Sequence, residues 1–217
     1  TTGAEISHTR LTTFFTGGGV TPVNGTFDPR VLFDRPSGRW FGTAMERGSG
    51  NSNNAIILGV SRTSAPTQPW DLYRIDVGES GVFTDYSTLG VDENGVYFGM
   101  TIFGGSVVSK IAATEKTSLL VGSPSLSPVF TFPNITDMYS SPQPAHNQDD
   151  IGPGDRAWFV TSSNQAFNNI HYRTLTWSGG TPTLSSRSIL STNTPFGQVQ
   201  LAPASGSSPS INTGDQR

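Results

Sequence analysis

Short runs in which apolar and polar residues alternate follow one another along almost the whole chain. The runs are rich in Val, Ile, Phe, Tyr, Trp and Thr and end at Gly, Pro, Asn, Asp or Ser, which is the pattern of β-strands joined by turns. Helical periodicity is never sustained. The best candidate for a helix, residues 106–120, contains the β-branched pair Val107 and Val108, and is predicted to be a strand followed by a turn. The pattern therefore predicts an all-β protein.

The predicted strands form a series that is repeated. Four strands joined by short loops extend over residues 28–76, and a similar series begins at residue 85 and again at residue 143. Three aromatic residues, Trp40, Tyr97 and Trp158, each open the second strand of a series and lie 57 and 61 residues apart. A repeat of this length, with four short strands in each unit, is typical of β-propeller blades.

The repeat predicts a β-propeller of four-stranded antiparallel blades, with three to four blades in this chain. The predicted blades cover residues 28–76, 85–132 and 143–190, with partial blades at 1–16 and 198–217. The partial series indicate a piece of a larger ring, in which Arg10 to Phe15 form a strand at one end of the array and residues 210–217 lie at the opposite end. The alternative is a β-sandwich or jelly roll that contains similar hairpins by coincidence.

Composition narrows the classes of function. The 217 residues include no cysteine, which excludes disulfides, thiolate metal sites and cysteine nucleophiles. The net charge of −3 argues against binding to nucleic acid or to an anionic membrane, and no apolar run is long enough to cross a bilayer. Only 13% of the residues are charged, so that neutral polar residues must cover much of the surface. This composition is typical of exported β-proteins and predicts a secreted, extracellular or periplasmic location.

Four polar residues recur at similar places in the repeat. Asp28, Asp85 and His146 each lie twelve residues before the aromatic residue of their series, and Asp215 has a comparable place in the last, incomplete series. In equivalent blades these side chains would form a ring at the mouth of the central channel and bind a ligand, with Arg30 offsetting part of the negative charge. Asp28 and Asp85 are candidate ligands for Ca²⁺, which prefers oxygen. The alternative needs no cofactor: each Asp accepts backbone N–H bonds in a tight connection between blades.

Other candidate chemistry is weaker. The run at residues 146–150 contains one His and two Asp, which could ligate a metal or act as base and acid, although such a run is also typical of a solvated loop. His171 lies in an alternating strand and is predicted to pack within its blade. The sequence has no G-x-S-x-G or H-E-x-x-H motif, and no S-x-D-x-G-x-T-W box of the sialidase type. No catalytic residue is predicted.

Residues 27–44, 57–76 and 85–98 resemble a family of large exported bacterial β-propeller proteins, some of which carry labels such as hemagglutinin or sialidase-like. The shared pattern is Asp-Pro, then an aromatic residue followed by Asp, then Arg-Trp-Phe. The resemblance implies a propeller fold and a ring of six or seven blades that is longer than this chain. It implies no particular chemistry, because one fold serves many functions.

Three functions are compatible with these patterns. The leading hypothesis is an exported, non-catalytic propeller that binds carbohydrate, a cell-surface polymer or a protein through aromatic and polar side chains. A glycoside hydrolase or lyase acting in the central pocket is the first alternative. The second is a structural subunit of an extracellular assembly, which pairs with its neighbours through open blade edges.

Overall fold

The computed structural model describes residues 3–51, 53–139, 141–149, 155–163 and 168–193. Three antiparallel β-sheets follow one another along the chain, which confirms the all-β class. Sheet A consists of β1 (Thr26–Asp34), β2 (Arg39–Glu46), β3 (Ala55–Ser61) and β4 (Trp70–Asp76), paired in that order. Sheet B consists of β5 (Phe83–Val91), β6 (Gly95–Phe103), β7 (Val107–Glu115) and β8 (Phe130–Ile135), also in order.

Sheet C repeats this order with a broken fourth strand. Its strands are β9 (Gln143–Pro144), β10 (Ala157–Ser162), β11 (Asn169–Ser178), β12 (Thr181–Leu184) and β13 (Ser188–Ser191). The last two strands pair with successive parts of β11, β12 with its end and β13 with its beginning. They therefore share the position that a single strand holds in sheets A and B.

Two short helices complete the described structure. Helix α1 (Leu11–Gly17) precedes sheet A, and α2 (Thr117–Leu120) lies between β7 and β8. The strand predicted within residues 106–120 is confirmed as β7.

The strand predicted from Arg10 to Phe15 is wrong, because the chain there forms α1. Leu11, Phe14 and Phe15 have helical spacing, and all three pack against sheet A. Phe15 is 2% exposed, so burial against the sheet decides the local structure. The helix ends in a Schellman motif, in which Val20 N–H donates to the Phe15 carbonyl at 3.0 Å and Gly19 takes a φ of 91° that favours glycine.

The sheets pack in the order in which they occur along the chain. One apolar cluster joins sheets A and B and includes the fully buried Phe41 and Phe98. A second cluster joins sheets B and C and includes Tyr97 and Phe159. Close backbone contacts between sheets involve the first strands: β5 approaches β1 and β2, and β9 approaches β5 and β6. The core thus consists of apolar layers between neighbouring sheets.

The three aromatic residues of the repeat do not occupy the equivalent places that the repeat predicts. Tyr97 lies between sheets B and C, where its ring packs edge to face on Phe159. Trp158 lies next to Phe159 in β10, on the face turned away from sheet B, and is 44% exposed. Trp40 lies on the face of sheet A that is turned away from the following sheet, since its neighbour Phe41 points into the cluster between A and B.

The different turns of the first two hairpins explain this reversal. In sheet A the turn closes beyond Asp34 with Gly38 at a φ of 63°, and Gly38 N–H donates to the Arg35 carbonyl. In sheet B, by contrast, the N–H of Asp92 donates to the carbonyl of Gly95. A difference of one residue in register turns a strand side chain to the other face of its sheet.

A left-handed backbone step recurs at the beginning of each sheet. Asp28 has a φ of 46°, Tyr86 a φ of 55° and Ser141 a φ of 52°. The first two lie in β-bulges of β1 and β5, and Ser141 lies just before β9. A non-glycine residue in this region is strained and is held there by its surroundings. The repeat is therefore visible in the backbone as well as in the strand order.

Candidate functional site

A cleft of about 600 Å³ lies where β1 and β5 begin. Its lining residues come from β1, from β5 and from the loops that precede β1 and follow β2: Asn24, Gly25, Thr26, Phe27, Asp28, Arg47, Phe83 and Asp85. We call it the Asp28–Asp85 cleft. The two carboxylates that the sequence repeat singles out therefore lie in one place.

The bulges of the two first strands position these carboxylates. Asp28 is the left-handed residue of the β1 bulge, and Asp85 directly precedes Tyr86, the left-handed residue of the β5 bulge. The Oδ1 atom of Asp85 accepts a hydrogen bond from the backbone N–H of Tyr86 at 2.7 Å. This is the kind of contact that the capping interpretation predicts for Asp85, and it helps to hold the strained step in place.

Aromatic rings and one guanidinium group complete the lining. The rings of Phe27 and Phe83 are stacked, with centroids 6.2 Å apart and planes 15° from parallel. Arg47 contributes a positive charge. A second cleft of about 440 Å³ shares Asn24 and Arg47 with the first and continues along the loop at residues 48–50. The two clefts together combine acidic, basic, amide and aromatic groups.

Sequence reasoning missed Phe27, Phe83, Arg47 and Asn24. A signal for the two phenylalanines was present, since each lies one or two residues before the repeated Asp. Arg47 follows β2 and Asn24 precedes β1, and neither has a counterpart in the repeat that would have marked it.

Arg30 lies outside this cleft. It follows the β1 bulge and lines a separate cavity between α1 and sheet A. Asp215 lies outside the described residues.

His146 does not lie with Asp28 and Asp85, which corrects the predicted ring. Its Nδ1 is 2.8 Å from the Val91 carbonyl oxygen, and its Nε2 is 3.3 Å from that of Phe33. Phe33 and Val91 lie near the ends of β1 and β5, whereas the Asp28–Asp85 cleft lies at their beginnings. His146 therefore joins the far ends of the two strands.

The longer first connection of sheet C accounts for the misplaced offset. Leu32 and its partner Phe41 are nine positions apart in the chain, whereas Pro144 and its partner Phe159 are fifteen apart. Counting twelve residues back from Trp158 therefore stops inside the connection and does not reach the beginning of the first strand.

The run at residues 146–150 forms a local turn rather than a metal centre. The side chain of Asn147 accepts the N–H of Asp149 at 3.0 Å, and Gln148 Nε2 lies 2.7 Å from His146 Nε2. Residue 150 is not among those described. Across the described ranges, no group of three or more His, Asp or Glu side chains is placed to hold a metal. Calcium binding by Asp28 and Asp85 stays a prediction.

Buried polar groups connect the sheets away from the cleft. Asp34 and Lys116 form an ion pair between sheet A and the segment after β7, with Nζ and Oδ2 3.1 Å apart. The Tyr97 hydroxyl donates to Asp92 and accepts from the Trp177 indole N–H, both at 2.9 Å. Burial raises the pKa of the Asp92 carboxyl, although its hydrogen bonds act in the opposite direction.

His171 is half-buried and lies near two arginines. Burial is the main cause that lowers its pKa, and the charge of Arg187 adds to the effect. Arg173 binds both carboxylate oxygens of Asp137 at 2.7 Å, and Arg187 donates to the Asp137 carbonyl at 3.0 Å. These bonds tie β11 and the segment after β12 to the loop before β9.

No helix in the described part of the chain is both long and apolar enough to span a membrane. Comparisons with protein-family models, curated proteins and solved structures returned no match to this chain. The resemblance to exported propeller proteins therefore stays a prediction, and the proposed function rests on the cleft itself.

Proposed function

We propose that this chain is an exported, non-catalytic binding module of the β-propeller type, and that the Asp28–Asp85 cleft binds a carbohydrate. The composition of the cleft carries the proposal. Phe27 and Phe83 offer apolar ring surface, and Asp28, Asp85 and Asn24 offer polar groups within the same space.

A saccharide matches this combination of groups. Its C–H faces pack on aromatic rings, and its hydroxyls donate to carboxylate and amide oxygens. Arg47 adds a donor for ring or hydroxyl oxygens, and the second cleft offers space for another sugar unit. A volume of about 600 Å³ lies within the range of ligand sites.

The arrangement of the sheets supports the propeller type. Sheets A, B and C pack in chain order, and their first strands lie closest to one another, as the inner strands of neighbouring blades do. The Asp28–Asp85 cleft then lies at the inner end of two neighbouring blades, where propellers place binding sites around the channel.

A glycan microarray followed by calorimetry tests the binding function. We expect the full chain to bind at least one class of glycan, and we expect Asp85→Asn and Phe83→Ala each to weaken binding of that glycan at least fivefold. Glu93→Gln is the matched control, because Glu93 is exposed at the hairpin at the other end of β5. Equal affinities for wild type and both cleft variants, or no glycan bound at all, would contradict the proposal.

The same bound glycan distinguishes the enzyme alternative. If the chain is a glycoside hydrolase or lyase, prolonged incubation releases shorter products that chromatography detects, and Asp28→Asn or Asp85→Asn stops the release. The proposal expects the glycan to be recovered intact.

A further inference from the structure

A second cavity lies on the other side of sheet A, between α1 and the sheet. Its volume is about 290 Å³, and it shares no lining residue with the Asp28–Asp85 cleft. Its walls are mostly apolar and include Leu11, Phe14 and Trp70, with Val31 at β1. The ring of Phe14 meets that of Trp70 edge to face at 5.4 Å.

The sheet leaves this space open at a glycine. A Cβ atom added to Gly42 would lie 3.6 Å from the Trp70 ring and 3.7 Å from the Arg30 carbonyl oxygen, which are ordinary contact distances. A larger side chain at this position would therefore extend into the cavity. Val31, on the neighbouring strand, is 65% exposed although it is apolar. An exposed apolar residue beside an apolar cavity marks an accessible entrance.

The charge at this entrance has one sign. Arg30 lines the cavity, and no Asp or Glu of the described residues does. Arg30 also makes no ion pair with any carboxylate in the described ranges. A guanidinium group binds carboxylates through two parallel N–H donors, and the bond is stronger where apolar walls exclude water.

We propose that this cavity binds a small apolar carboxylate, such as a medium-chain fatty acid or an aryl acid. The apolar part lies between α1 and sheet A against Phe14 and Trp70, and the carboxylate pairs with Arg30 at the entrance. The volume limits the ligand to about eight to ten heavy atoms in its apolar part, since a liquid-packed methylene takes roughly 27 Å³ and the packing is close. The site is independent of the proposed carbohydrate function, because it uses other residues on another face of sheet A.

Octanoate and 1-octanol are matched probes for this site, because they have the same chain and differ in charge. Ligand-observed NMR on the full chain measures both, at concentrations below micelle formation. We expect octanoate to bind about tenfold more tightly than octanol, which is the difference that one charge-assisted hydrogen bond makes. Arg30→Gln removes this preference and leaves octanol binding unchanged, and Arg35→Gln, at an exposed arginine in the β1–β2 turn, changes neither.

Two further variants block the space itself. Val31→Trp adds bulk from an exposed position and leaves the core intact, and Gly42→Val fills the cavity from the sheet. Both are expected to abolish binding of both probes, with Val31→Trp keeping the melting temperature of wild type. The proposal is overturned if octanoate does not bind, if it binds wild type and Val31→Trp equally, or if Arg30→Gln leaves the octanoate preference in place.

Discussion

The ion pair between Asp34 and Lys116 offers the sharpest test of how sheets A and B are held together. The two residues are 82 positions apart in sequence, and their side chains are 0% and 5% exposed. Replacing Lys116 by Met leaves the Asp34 carboxylate buried without its cation. Removing one partner of a buried pair costs about 3–5 kcal/mol, because the remaining charge has lost both water and its counter-ion.

A double-mutant cycle measures the interaction itself. The variants are Lys116→Met, Asp34→Asn and their combination, and urea unfolding gives the free energy of each. The amide oxygen introduced by Asp34→Asn keeps an acceptor for the Ser37 N–H that now bonds to Asp34, at 3.3 Å, so that the turn is preserved. We expect the double variant to be less destabilised than the sum of the single variants, with a coupling energy in the upper part of the range of about 0.5–3 kcal/mol found for contacting residues.

An exposed pair provides the control for this cycle. Arg62 and Asp71 pair within sheet A, with the arginine side chain 58% exposed, and Arg62→Met should therefore cost far less than Lys116→Met. The reasoning is refuted if Lys116→Met unfolds at the same urea concentration as wild type, or if the two single losses simply add.

Three further predictions concern pH, packing and capping. The lowered pKa of His171 means that its contribution to stability is complete above its ordinary pKa of about 6.5 and is lost as the pH falls towards the lowered value; urea unfolding from about pH 7.5 to about pH 5 should show this slope, and His171→Gln should flatten it. Gly99→Ala should lower the melting temperature severely, because a Cβ there would lie 1.8 Å from the Pro142 carbonyl oxygen, whereas Gly42→Ala, with 3.6 Å to its nearest neighbour, should be tolerated. Asp85→Ala should cost about 1 kcal/mol through the lost cap on the β5 bulge, and a melting temperature that falls with chelator in wild type alone would show instead that a cation is bound.

Strand order was the part of the fold that sequence reasoning could predict. Alternation, turn residues and the repeat of about sixty residues are local signals, and three sheets appear where the three series were placed. Helix α1 was missed because its helical pattern covers only Leu11, Phe14 and Phe15, and its stability comes from a sheet that lies later in the chain.

Positions that depend on register could be predicted only in part. Asp28 and Asp85 meet in one cleft because the same bulge recurs in β1 and β5. His146 was misplaced because one connection of sheet C is longer, and Trp40 was assigned to the wrong face because one hairpin turn differs. Single-residue differences of this kind have no signal in composition or periodicity, yet they decide which way a strand side chain points.

The packing of each sheet only against its neighbours in the chain has a consequence for the way the molecule opens. Sheet B is covered on both faces, by the cluster it shares with sheet A and by the one it shares with sheet C. Stability is then close to a sum of terms for single sheets and for the interfaces between them, as in linear repeat proteins. Loss of sheet C removes one interface, whereas loss of sheet B removes two. Amide hydrogens of β6 should therefore exchange most slowly and those of β11 sooner, so that the molecule unravels from its end rather than all at once.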